Sequence, residues 1–239
     1  MKITGKMQKD VLNLRADGKT SAEIARKVGL SVRSVQRIAR TTAYHEAGHA
    51  AAGALLGQKP DWATLIPDPK TDILAEVTRL DNEALSKREL EEEIIFFYAG
   101  QYAELRAGGS RRRARLGAMA DNDTARNCIA RLCGKDATGE ELDAAENKMR
   151  TAARRFIDKH WALVERIANE LLRRSTLVWE ELDTLRAIYQ GEKKEEDLKQ
   201  WREAFMSVKK DCRLIGKRAV YKGSSEQFGR DIISTWSCE

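Results

Sequence analysis

The chain has 239 residues, 42% hydrophobic and 33% charged, which describes an ordered, helix-leaning protein long enough to bury a proper core. No run of eighteen apolar residues occurs and the amino terminus, MKITGKMQKD, carries no apolar signal segment, so a cytoplasmic protein without a membrane span is expected. The net charge of +6 is concentrated: residues 1–40 hold ten Lys or Arg against three Asp or Glu, leaving the other 199 residues at −1, so contact with phosphate is expected of this head alone.

Within the head, MQKDVLNLRADG is amphipathic through Val11, Leu12 and Leu14 and predicts a first helix. In SAEIARKVGLSVRSVQRIAR, Ile24, Ala25 and Val28 share one helical face and Val35 and Ile38 another, with Gly29 between them. Thr20 and Glu23 form a capping box for the first of this pair, and Ser31 is an N-cap for the second. The small alanine, the turn glycine and the flanking apolar positions, over twenty residues, resemble the helix-turn-helix DNA-binding family. That resemblance implies DNA as a partner of residues 1–40, with Arg33, Ser34, Gln36 and Arg37 on the solvent side of a recognition helix. There Arg and Gln could read base edges, while Lys19, Arg26 and Lys27 hold the backbone. A single such module should bind weakly, so specific binding would call for a dimer.

The next segment, TTAYHEAGHAAAGALLG, lacks proline and ends in Gly57, as a helix with a glycine stop would. It holds His45 and His49, two of the three histidines in the chain, four residues apart and therefore on one helical face. Glu46, beside the first histidine, is placed to act as general base on a water at a catalytic zinc. A core helix with two satisfied histidines would explain the apolar flank but not the glutamate between them. Two imidazoles leave a catalytic zinc one protein ligand short. Asp121, Asp123 and Glu104 compete for that place, while His160 lies far downstream in the charged amphipathic stretch RRFIDKHWALVERIANELL, read as one helix.

AYHEAGHA resembles the active-site helix of the FtsH-family zinc peptidases, ATP-dependent proteases that are normally membrane-anchored. ATLIPDP resembles that family's short strand, LEEEIIFFYAGQYAELRAGG its second helix, and GAMADNDTA the segment that brings the acidic third ligand. ALVERIANELLRRSTLVWEELDTL resembles its closing helices, so the likeness covers about residues 41–190. It implies a mostly helical, zincin-like peptidase domain with Zn2+ held by His45, His49 and Asp121, Ala125 as companion, Asp123 as the alternative, and a protein or peptide substrate. No G-x-x-x-x-G-K-S/T loop occurs, so no ATP is expected to be bound, and flexible or partly unfolded substrates are implied. The run RRRAR at 111–115 reads as a solvated basic loop near the cleft, with a preference for acidic substrates as the less favoured reading.

Residues 191–210 begin with mixed charge and become an amphipathic helix through Leu198, Trp201 and Phe205, expected to pack on the body, with self-association into a homo-oligomer as the alternative. The final stretch receives no assignment. Four cysteines, Cys128, Cys133, Cys212 and Cys238, lack a C-x-x-C pair and are expected to be free thiols. The expected fold is therefore mainly α: a three-helix head at 1–40, a metal-binding body at 41–190 with a short β element, and a tail at 191–239. Only Thr41 and Thr42 separate head from metal helix, which predicts rigid coupling. The expected function is a zinc metalloendopeptidase attached to a DNA-binding head. The alternative is a DNA-binding regulator whose body senses a metal or partner without turnover.

Overall fold

The computed structural model describes residues 3–60, 62–67 and 85–211, with side chains described up to Glu203. The end of ATLIPDP, the side chain of Phe205, Cys212, Cys238 and the final stretch lie outside the described residues. Among those described, ten helices and one two-stranded sheet form the mainly α architecture that the sequence leads one to expect.

The head is built by α1 (Gly5–Ala16), α2 (Ser21–Val28) and the start of α3 (Val32–Leu56). Its capping box is present: Glu23 N–H donates to Thr20 Oγ1 at 3.3 Å, and Thr20 N–H donates to Glu23 Oε2 at 2.8 Å. Gly29 ends α2 at φ +70°, a left-handed conformation that favours glycine, and Ser31 Oγ accepts from Ser34 N–H to start α3. Val11, Ile24, Ala25, Val35 and Ile38 close the small core.

The 25-residue α3 runs without interruption from the head into the HEAGH segment and stops at Gly57, φ +77°. The division expected after residue 40 thus falls inside a helix. Thr41 and Thr42 donate their hydroxyls to Arg37 O and Ile38 O, both at 3.0 Å, so two β-branched residues are accommodated with their polar atoms satisfied. Leu12 of α1 enters the main core of the body, and Arg15 donates to Leu172 O at 2.8 Å, so the head is docked as well as continuous.

In the body, α3 packs on α4 (Lys87–Arg106) and α8 (Trp161–Arg174). The α3–α4 approach is close because Gly48 has no side chain: a Cβ there would lie 2.6 Å from Ala99 O. Ala43, Ala47, Ala50 and Ala51 line α3, facing Phe96, Leu163, Val164, Ile167 and Leu171 in one core. A second core, with Ile94, Tyr98, Ala125, Ile129, Met149 and Ala153, fixes α6 (Met119–Cys133) between α4 and α7 (Gly139–Lys159). Strand β1 (Trp62–Thr64) pairs antiparallel with β2 (Thr176–Val178), Ala63 opposite Leu177. Helix α9 (Trp179–Tyr189) follows, and α10 (Glu195–Asp211) packs against it. Leu198 of α10 is buried in the main core, while Arg202 reaches Glu181 at 2.8 Å and Glu170 at 3.0 Å.

Two elements differ from expectation. Residues 111–117 form a helix, α5 (Arg111–Gly117), instead of a loop. Arg is a good helix former, and burial of Ala114 against the body anchors the turn despite the charge run. The stretch around His160 is two helices, not one: α7 ends at Lys159 and α8 starts at Trp161, with His160 O accepting from Leu163 and Val164. Ile157 of α7 and Leu163 of α8 enter one core on either side of the break. No helix among the described residues is long and apolar enough to cross a membrane.

Candidate metal centre

His45 and His49, one turn apart on α3, bring their Nε2 atoms within 3.2 Å of each other. Asp121 sits in the first turn of α6, and its Oδ2 lies 3.4 Å from His45 Nε2 and 3.5 Å from His49 Nε2. Bonds of ~2.0–2.1 Å at the tetrahedral angle place ligand atoms about 3.3–3.4 Å apart. The three donors therefore stand at the spacing of three corners of a tetrahedral site, and this largely buried His-His-Asp group can hold a metal ion.

The far side of each ring supports the same conclusion. His49 Nδ1 lies 2.9 Å from Phe96 O, a pure acceptor, which assigns the proton to Nδ1 and leaves Nε2 with its lone pair. His45 Nδ1 faces Glu104 Oε2 at 3.6 Å, which favours the same tautomer. Two Nε2 atoms 3.2 Å apart that both present lone pairs beside a carboxylate suit a cation between them. Without a metal, a proton serves: burial disfavours the His45 imidazolium, but Asp121 and Glu104 outweigh it and raise the pKa to about 10. Burial also disfavours the Asp121 carboxylate, yet the two histidines hold its pKa well below the usual carboxylate range.

Space for the donors comes from Gly100 on α4. A Cβ there would lie 2.6 Å from Cδ2 of His49 and 2.9 Å from His45 Nε2, and closer still to His49 Nε2. Glu46 is 3% exposed, and its Oε2 is buried without a hydrogen-bond partner. Burial pushes its pKa up, against the pull of His45 and His49. A buried carboxyl oxygen with no partner is costly.

The remaining candidates are sorted by geometry. Glu104 stands behind His45 and touches no shared ligand point. Asp123 is exposed and pairs with Arg126 at 3.3 Å. His160 lies at the α7–α8 junction, its Nδ1 3.2 Å from the Tyr189 hydroxyl. In the head, Arg33, Gln36 and Arg37 are exposed on α3, whereas Ser34 has its hydroxyl 2.9 Å from that of Ser31. Gly100 and the Phe96 carbonyl are parts of the centre that residue patterns did not single out. A glycine inside a long helix, with no turn to make, was the available signal for the first.

No protein-family model matches the chain, and no curated protein matches its sequence.

Proposed function

We propose that this chain is a zinc-dependent metalloendopeptidase, similar in its catalytic half to the FtsH-family peptidase domain, acting on flexible or partly unfolded protein in the cytoplasm. The observation that carries the reading is the donor triangle of His45, His49 and Asp121 together with the partnerless oxygen of Glu46. Two imidazoles and one carboxylate at tetrahedral spacing suit zinc, which leaves a fourth position open in catalytic sites. Bound zinc would supply Lewis acidity to a scissile carbonyl. Glu46 takes a proton from the attacking water as its oxygen joins the carbonyl carbon, then gives that proton to the amine nitrogen as the C–N bond breaks. Its raised pKa suits both roles, since a base poised nearer neutrality returns the proton more readily. Glu104 and the Phe96 carbonyl hold the two rings in the orientation and tautomer that ligation requires.

The head carries a second activity in this reading, binding of DNA through the exposed Arg33, Gln36 and Arg37 of α3. The local charge excess of residues 1–40 and the helix-turn-helix arrangement of α2 and α3 support it.

Zinc content and cleavage of a casein-like unfolded substrate, measured on wild type and Glu46→Gln, test the enzyme. Equal zinc with hydrolysis in wild type alone is the expected result. Wild-type cleavage by Glu46→Gln would remove Glu46 from its role, and metal without cleavage by either protein would favour a non-catalytic regulator.

A further inference from the structure

A groove of about 530 Å³ opens between α4, α5, α6 and α7. Two of its lining residues, Gln101 and Asn122, are the chain neighbours of Gly100 and Asp121, which bound the metal site. Its rim carries two of the few large hydrophobic side chains exposed among the described residues, Leu116 at 59% and Met119 at 56%. Apolar groups that open to water on the edge of a concave site are suited to contact with an incoming ligand.

The charges in the groove are unequally satisfied. Arg126 has Asp123 at 3.3 Å and Glu146 at 3.4 Å, and Arg150 has Glu146 at 2.7 Å and Asn122 Oδ1 at 3.1 Å. Arg115, exposed at the end of α5, has no partner among the described residues. Among the described residues, a guanidinium without an anion beside an apolar rim describes a complementary ligand. It brings a carboxylate for Arg115 and an apolar side chain for Leu116 and Met119.

We infer that this groove is a specificity subsite, which takes the stretch of substrate flanking the scissile bond and selects peptides carrying an acidic residue next to an apolar one. The inference rests on the peptidase reading above. An Asp or Glu side chain supplies the anion for Arg115. The basic run 111–115 thus acts through Arg115, while Arg111 and Arg112 are exposed outside the groove.

The test uses the full chain with zinc added, in the Glu46→Gln background, and two fluorescent peptides that differ only in Glu-Leu against Lys-Leu at one position. Anisotropy should show the glutamate peptide bound about fivefold more tightly, the scale of an exposed ion pair. Arg115→Glu should invert the order, and Met119→Asp should weaken both peptides. Both positions are exposed, so unchanged melting of each variant is expected. Equal binding of the two peptides, an order that Arg115→Glu leaves unchanged, or no binding of either overturns the subsite. Cleavage by the protein with Glu46 intact, followed in parallel, separates the two claims. Selective binding without any cleavage removes the peptidase and leaves the subsite, and cleavage without selectivity does the reverse.

Discussion

His45 Nδ1 faces the Glu104 carboxylate at 3.6 Å, on the side of the ring opposite its metal-facing Nε2. A carboxylate in that place orients the imidazole and strengthens it as a donor. Glu104→Gln should therefore weaken zinc affinity by about 10–100-fold while leaving the three donors in place. Competition with a chromophoric chelator measures this, and wild-type affinity in the variant would leave Glu104 without an orienting role.

Gly100→Ala should abolish metal binding without unfolding the protein. The new methyl would occupy the space between the two Nε2 atoms, whereas alanine in a helix interior is favoured over glycine by about 1 kcal/mol. Zinc per chain and far-UV circular dichroism report the two halves of the prediction. A variant that still carries zinc at wild-type affinity would show that the rings are not held against α4.

Metal uptake should release a proton from His45 and become stronger as the pH rises from 6.5 towards about 10, by up to tenfold per unit. The metal-free protein should show the opposite trend in stability. The folded-state pKa of His45 is raised, so its stabilising contribution is complete below about 6.5 and is lost as the pH rises towards 10. Melting curves at pH 7 and pH 9, with and without zinc, should diverge with pH, and parallel curves would contradict the argument.

Glu46→Gln should stabilise the metal-free fold at neutral pH. Burial raises the carboxyl pKa, so the cost of ionising Glu46 is absent below about 4.5 and grows as the pH rises through its folded value. Removing a buried carboxyl whose Oε2 lacks a hydrogen-bond partner should gain about 1 kcal/mol, or ~2–4 °C in melting temperature, at pH 7. An equal loss of stability at pH 4 and pH 7 would mean that Glu46 has a structural partner.

Arg33→Glu with Arg37→Glu should eliminate binding to random duplex DNA and lower the salt dependence of any residual binding, by about 0.9 in log-log slope for each phosphate no longer neutralised. Gel shifts across a salt series measure both. Unchanged binding would move the interface off α3.

The sequence made local signals legible and left most spatial ones hidden. The capping residues Thr20, Glu23 and Ser31, the stops at Gly29 and Gly57, and the shared face of His45 and His49 all depend on neighbours within one or two turns, so spacing alone reveals them. Which acid joins the histidines depends on how α4 and α6 meet α3, although these elements are well separated along the chain. Residue type alone left Glu104, Asp121 and Asp123 equivalent, and the packing of Ala125 and Ile129 is what turns Asp121 inward. The break at His160 carries neither glycine nor proline, and the apolar period continues across it, so nothing in the pattern marks it. The helix at 111–117 was concealed because a run of arginines looks solvated whichever backbone it adopts.

The unbroken course of α3 makes spacing along the chain a geometric constraint. One residue inserted or deleted between Ala39 and Tyr44 would turn everything downstream by about 100° and shift it by ~1.5 Å along the axis. The imidazoles would then face a different quadrant from Asp121, or the three-helix head would have to leave its seat on Leu172. Length variation is thus forbidden at the midpoint of the rod, and the head and the metal-binding body are free to diversify there only by substitution.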